Sequence, residues 1–313
     1  MLPAIDLLFS GAPEVGRTDA LVVTRRRHIE VERYGVGVDA ATTLRSWSMA
    51  KSMLHATVGM LVADGELTLD APAPVAAWAG RDDPRRAITL RHLLTMRSGL
   101  AWIEEPIDGR LPDVVTMLYG NDRRPVPDTA AFAADRPLAH EPGSVTHYSS
   151  GTSAIVSGIV RDVVGPGEPY RQWLRDRLFD PVGMTSATPR FDAAGTWMAS
   201  SFCFCTARDF ARFGQLYLDG GVTSNGMRIL DAAWTDTAAI ETGREPDGMV
   251  HTMHWWRFGE NAWGAFYASG YEGQYIVVVP ELDLVVVRLG QTPTEQRAHV
   301  RDALTELIAS FES

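Results

Sequence analysis

Apolar and polar residues alternate at both ends of this chain and recur with helical spacing in its middle. Residues 20–34, ALVVTRRRHIEVERY, predict two strands joined by a basic turn. In the second strand Ile29 and Val31 alternate with Glu30 and Glu32, which gives one buried and one wet face. A polar stretch with Gly35, Gly37 and Asp39 follows. Met49, Met53, Val58, Leu61 and Val62 then recur at near-helical spacing, and Gly65 supplies a stop. This predicts a helix of about four turns that begins at or just before Ser48.

The next 130 residues or so read as mainly helical, with long loops. Short helices are predicted over Thr89–Met96, ending near Ser98-Gly99, and over Thr129–Ala134. Pro142-Gly143 marks a turn before a helix from about Ser150 to Val163. Tyr170–Leu178 is amphipathic and ends at Pro181-Val182-Gly183. Thr206–Asp219 is a helix with Phe210, Phe213, Leu216 and Tyr217 on one face. Strand character returns in YIVVV (275–279) and LVVVRL (284–289), a central hairpin apolar on both faces. Thr292, Pro293 and Glu295 predict a capping box for a last helix whose stripe is Val300, Leu304, Leu307, Ile308 and Phe311. The order strands, helices, strands, helix predicts an α+β fold, with an antiparallel sheet built from both chain ends and flanking helices. The expected division is 1–47 and 200–313 for the two parts of the sheet domain and 48–199 for an inserted helical region. A cleft is expected where they meet.

Composition narrows the function. The 313 residues are 45% hydrophobic and 22% charged, as in a folded soluble chain. A net charge of −10 argues against nucleic acid as a partner. Arg25-Arg26-Arg27 is the densest basic run and reads as a solvated turn. Cys203 and Cys205 are two residues apart and poorly placed to bridge, so they read as buried thiols. No stretch is long and apolar enough to span a membrane. The opening MLPAIDLLFSGAPEVG has no positive n-region and is interrupted by Asp6. It does not read as a signal peptide, and a cytoplasmic location is expected.

The basic residues are lopsided: of the 29, 28 are arginine and one is lysine, Lys51. It closes the tetrad Ser48-Met49-Ala50-Lys51 at a helix start, and residues three apart share a helix face. A serine hydroxyl needs a base within hydrogen-bond reach to become a nucleophile. A desolvated lysine can serve, whereas arginine stays protonated. A helix start also offers backbone N–H groups to an oxyanion. With 17 serines in the chain, a serine falls three residues before the one lysine by chance about once in twenty. Tyr148-Ser149-Ser150 follows a turn, and a phenol there can relay a proton. Ala268-Ser269-Gly270-Tyr271 precedes the late strand, where glycine permits close approach of a substrate and the next N–H can complete an oxyanion hole.

The three motifs in this order resemble the β-lactamase-related serine hydrolases: class C β-lactamases, D-alanyl-D-alanine carboxypeptidases and related esterases and amidases. The segments SWSMAKS, ITLRHLLTMRSGLAW, EPGSVTHYSSG, LFDPVGM and GYEGQYIVVVPELDLVVVRLG extend the resemblance from about residue 20 to 310. SGLAWIEE, HYSSG and TARDFARFGQLYL look most similar to the 6-aminohexanoate-dimer hydrolase and esterase branch. The resemblance implies a β-lactamase/transpeptidase-like fold and a Ser48 acyl-enzyme. Lys51 would be the base and Tyr148 the proton relay. The backbone N–H groups of Ser48 and Tyr271 would form the oxyanion hole. Ser150, Ser269, Gly270 and His147 are the candidate substrate contacts, and no cofactor or metal is implied.

Two positions depart from class C β-lactamases: Ser150 stands where they carry Asn, and Ala268-Ser269-Gly270 stands where they carry K-T-G. A neutral small ester or amide therefore fits better than a β-lactam or peptidoglycan peptide. The alternatives are a β-lactamase or carboxypeptidase, and an idle binding or sensor protein on the same scaffold. His251 and His254 lack the further ligands a zinc site needs. His55 reads as packed on its helix, Trp255, Trp256 and Trp263 as core aromatics, and Glu104 and Glu105 as surface residues.

Overall fold

The apolar runs from the two ends of the chain pair in one antiparallel sheet. The structure is a computed structural model and describes residues 1–107, 109–120, 126–246, 248–258 and 263–312. Its strands are β1 (Arg17–Arg25), β2 (His28–Tyr34), β3 (Leu44–Arg45), β4 (Thr188–Pro189), β5 (Cys203–Cys205), β6 (Gly243–Arg244), β7 (Val250–His251), β8 (Trp256–Arg257), β9 (Phe266–Gly270), β10 (Gln274–Val279) and β11 (Leu284–Gln291). The main sheet runs β2-β1-β11-β10-β9-β8-β7-β6, and a small sheet runs β3-β5-β4. Val22 sits opposite Val287, and Val277 opposite Val286, so the first strand of the chain is paired with the last. The β1–β2 turn is Arg26-Arg27, with φ of 49° and 67°, the left-handed pair a tight hairpin requires. Both side chains are exposed, as a solvated turn demands.

The central strands are apolar on both faces because each face has a core. On one side Val22, Ile276, Val278, Val285 and Val287 meet the helical region. On the other, Leu21, Val23, Val277, Val279 and Val286 meet α1 (Leu2–Leu8) and the last helix. Full burial of each such side chain contributes about 1.5–3 kcal/mol, which makes this sheet the rigid frame of the molecule. The remaining helices are α2 (Ala50–Ala63), α3 (Leu90–Leu94), α4 (Asp113–Tyr119), α5 (Thr129–Ala134), α6 (Ser150–Val164), α7 (Glu168–Leu174), α8 (Asp180–Val182), α9 (Ala207–Leu218), α10 (Ala232–Asp236) and α11 (Arg297–Ala309). Thr89, Asp128, Ser149 and Thr206 each cap the helix that follows through a side-chain oxygen.

Three local expectations fail. The second strand has no fully buried face: Ile29 is 48% exposed and Val31 only half-buried, because β2 is the edge strand of the sheet. Thr292 caps no helix; its hydroxyl bonds the Val15 carbonyl at 2.6 Å and takes a bond from Arg288. The last helix starts later, at Arg297, after a 3₁₀ turn and without a side-chain cap. The 170–178 stretch is not one regular helix: α7 loosens into a wide turn over Arg175–Phe179 and continues as α8 before Gly183. Cys203 and Cys205 are free and buried, with sulfurs 3.6 Å apart. No described helix is long and apolar enough to cross a membrane.

Candidate active site

The seat of Ser48 is a 3₁₀ turn, Trp47–Met49, that leads directly into α2. Two contacts pin its entry. Ser46 N–H donates to the Cys203 carbonyl at 2.9 Å, and the Ser46 hydroxyl accepts from Cys203 N–H at 3.0 Å. Trp47 is held in the left-handed region, φ 46°, and its indole donates to Glu272 at 3.2 Å. A φ of that sign on a tryptophan is uncommon and persists where the surroundings fix it. The late strand supplies the rest of the clamp. A Cβ on Gly270 would stand 2.5 Å from the Ser46 carbonyl, so glycine is what lets β9 lie against the Ser48 turn. Tyr271 follows and packs edge-on against Trp47 at 5.3 Å. Among the described residues β8 pairs with β9 only at Phe266 and Tyr267, so 268–270 have no strand partner on the side away from β10.

Lys51 is one turn on, on the same side of α2, and is 2% exposed. Its Nζ lies 2.9 Å from Ser48 Oγ, 3.1 Å from Ser150 Oγ and 2.8 Å from the Ser200 carbonyl. No carboxylate touches it directly among the described residues. Burial pushes its pKa down to about 8, and the charge of Glu104 pulls the other way. Tyr148 is half-buried, with its ring 4.8 Å from Lys51 Nζ. Burial pushes its phenol well above the ordinary range, the Glu104 charge adds to this, and a hydrogen bond with Ser48 opposes it. The phenol is therefore neutral at physiological pH. It can pass a proton on but does not rest as a phenolate. The tyrosine is placed from behind: His251 stacks on its ring at 5.8 Å, Trp256 lies at 5.6 Å, and Glu245 accepts its backbone N–H at 3.0 Å.

The expected residues come together unevenly. Ser48, Lys51, Tyr148 and Ser150 form one cluster, with Gly270 and Tyr271 at its edge. Ser269 is half-buried on β9, opposite Tyr275 in register. His147 is exposed, and its ring meets the Trp102 carbonyl at 3.1 Å. Glu104 was expected on the surface and is not there. It is half-buried, accepts from the Ser150 hydroxyl at 2.6 Å and from Ser150 N–H at 2.8 Å, and takes the Trp102 indole N–H at 2.6 Å. A loop carries it over α6, and no periodicity marks it. Ser200 and Glu245 contribute through a carbonyl and a remote carboxylate, which residue spacing does not announce. His55 is fully buried between Tyr217 and Thr237, at 2.6 and 3.0 Å. Trp255 and Trp256 are buried core aromatics. Among the described residues no cluster of His, Cys, Asp and Glu is arranged to hold a metal.

The chain has relatives by sequence and by structure. The 6-aminohexanoate-dimer hydrolase of Paenarthrobacter ureafaciens is 27% identical over 305 residues, covering 90% of this chain and 74% of the relative. Penicillin-binding protein 4 of Amycolatopsis lactamdurans is 29% identical over 300 residues, covering 82% and 74%. The structure of a penicillin-binding protein homologue from Pyrococcus abyssi superposes with a TM-score of 0.76 at 18% identity, over 98% of this chain and 77% of that one. The profile of the Beta-lactamase family matches residues 12–310, nearly the whole length, and the chain belongs to that family of β-lactamase-fold hydrolases.

Proposed function

We propose that the protein is a serine esterase or amidase that works through an acyl-enzyme on Ser48. The observation that carries this is the setting of Lys51: a buried amine 2.9 Å from a serine hydroxyl, with its pKa lowered to about 8. Neutral Lys51 takes the Ser48 proton as Oγ attacks the substrate carbonyl. The tetrahedral oxyanion is held by the Ser48 and Tyr271 N–H groups, the former at the open first turn of a helix. The proton on Lys51 passes by way of the Tyr148 phenol to the leaving oxygen or nitrogen, and the acyl-enzyme forms. Water then attacks the ester, the same groups run in reverse, and Ser48 is restored.

The substrate is a small neutral ester or amide. The substrate would meet an aromatic wall beside Ser48: Trp47 packs against Tyr271, which is 49% exposed, and Tyr119 lies beyond them against Phe202. Such a wall favours apolar acyl or leaving groups. The relative named for 6-aminohexanoate-dimer hydrolysis supports an amide in the range. The test is a fluorophosphonate probe followed by mass analysis of the Ser48 peptide, with p-nitrophenyl esters and short amides assayed on wild type and Ser48→Ala. An adduct on Ser48 and turnover lost in Ser48→Ala are expected. No adduct would overturn the reading, and nitrocefin hydrolysis faster than that of any ester would move the substrate class to β-lactams.

A further inference from the structure

A carboxylate only accepts hydrogen bonds, a carbonyl only accepts, and a hydroxyl has one proton to give. These rules fix the directions around Lys51. Ser150 Oγ is 2.6 Å from Glu104 Oε1, so its single proton goes to the carboxylate. Toward Lys51, at 3.1 Å, the Ser150 hydroxyl is left only as an acceptor. The Ser200 carbonyl at 2.8 Å is an acceptor as well. A neutral amine has two N–H bonds and one lone pair. Both N–H bonds are claimed by Ser150 and Ser200, and the remaining direction is Ser48 Oγ at 2.9 Å.

We propose that Glu104 is a positioning residue: by taking the Ser150 proton it leaves the lone pair of neutral Lys51 no direction but Ser48. The inference rests on Lys51 being the base of Ser48. With Glu104 gone, the Ser150 hydroxyl is free to turn and offer its proton to the lysine lone pair, in competition with Ser48. The carboxylate is itself held. The Trp102 indole donates to it at 2.6 Å, and His147 ties the Trp102 carbonyl at 3.1 Å. A Cβ on Gly151 would lie 2.5 Å from the Trp102 ring, so the indole rests directly on the first turn of α6. The loop and the Tyr148 motif are therefore one unit, and Glu104 is not free to swing to solvent.

Among the described residues three titratable groups face Lys51. Glu104 attracts its proton, the Tyr148 phenol is neutral, and His254 is kept neutral chiefly by burial.

The experiment is kcat/KM for p-nitrophenyl butyrate against pH in wild type, Glu104→Gln, Ser150→Ala and the double variant. Glu104→Gln is expected to lower the plateau about 10- to 100-fold, the scale of a misplaced catalytic group. Its acid limb moves to lower pH, because the charge that attracted the lysine proton is gone. In the Ser150→Ala background the same change has little further effect on the plateau, since the hydroxyl that transmits it is absent. Glu104→Asp keeps the charge but shortens the reach. It holds the midpoint near the wild-type value while losing plateau, and it reads the proposal if Glu104→Gln does not fold. An unmoved acid limb in Glu104→Gln, or plateau losses that simply multiply in the double variant, overturns the inference. A wild-type protein that hydrolyses no ester instead overturns the serine-hydrolase reading itself.

Discussion

Under the proposed mechanism, replacing Lys51 by arginine preserves a positive charge and removes the property the mechanism uses. At a pKa of about 8, roughly a tenth of the molecules carry a neutral Lys51 at pH 7, against about one in 2,500 for a free lysine at 10.4. Burial therefore enlarges the pool of neutral amine about 250-fold. Arginine has no such pool at any pH. Lys51→Arg is expected to lower kcat/KM for p-nitrophenyl butyrate by ~10²–10⁴-fold across pH 6–10, the usual worth of a general base. Wild type is expected to rise with pH through a midpoint near 8. The same shift has a stability signature. The unfolded chain holds the lysine proton up to about 10.5, while the folded chain releases it near 8. Between those values the unfolded state binds more protons, so stability rises with pH, by about 3 kcal/mol over the window. Urea unfolding of wild type against Lys51→Met, at pH 7 and pH 10.5, isolates that term. Activity in Lys51→Arg above a tenth of wild type would refute the reasoning, and so would an acid limb centred near 10.

Other consequences follow from the same structure. Gly270→Ala places a methyl 2.5 Å from the Ser46 carbonyl and should push β9 off the Ser48 turn; kcat is expected to fall ~10²-fold, with Tm lowered far less than kcat. Arg288 is fully buried and donates to Thr18, Thr292 and the carbonyls of Val15, Arg17, Glu272 and Gly273. Arg288→Met strands those acceptors and should cost about 2–4 kcal/mol by urea denaturation. His55 is held neutral by burial, with its pKa lowered to about 3. The unfolded chain takes up that proton below about 6.5, so stability is lost as pH falls from 6.5 toward 3; His55→Gln should flatten the slope of Tm with pH in that window.

The sheet was legible because its signals are local. YIVVV and LVVVRL are too apolar for any place but a doubly covered centre, and both faces are indeed covered. Ser48 and Lys51 were legible because i and i+3 on a helix meet whatever the rest of the fold does. Glu104 was not legible, since its contact with Ser150, 46 residues later in the chain, depends on a loop crossing α6. The Ser200 carbonyl was invisible for a different reason: any residue type has one. The predicted cap at Thr292 failed to tertiary competition, as buried Val15 and Arg288 offered its hydroxyl better partners than a helix end. The isolated reading of Glu104 as a surface residue failed the same way.

The pairing of β1 with β11 has a kinetic side. Arg288 reaches Thr18 across 270 residues of chain, so the frame closes only after everything from β1 through β11 has been made. Contacts of such sequence separation form late and slowly. Until then the β1–β2 hairpin presents an apolar edge with no neighbour, an invitation to other growing chains. Newly synthesised protein should therefore be most prone to aggregate before its last strands emerge. Because β9 reaches the Ser48 turn through that same sheet, hydrolytic activity should appear only with the closing of the frame, which makes turnover a direct clock for the final step of folding.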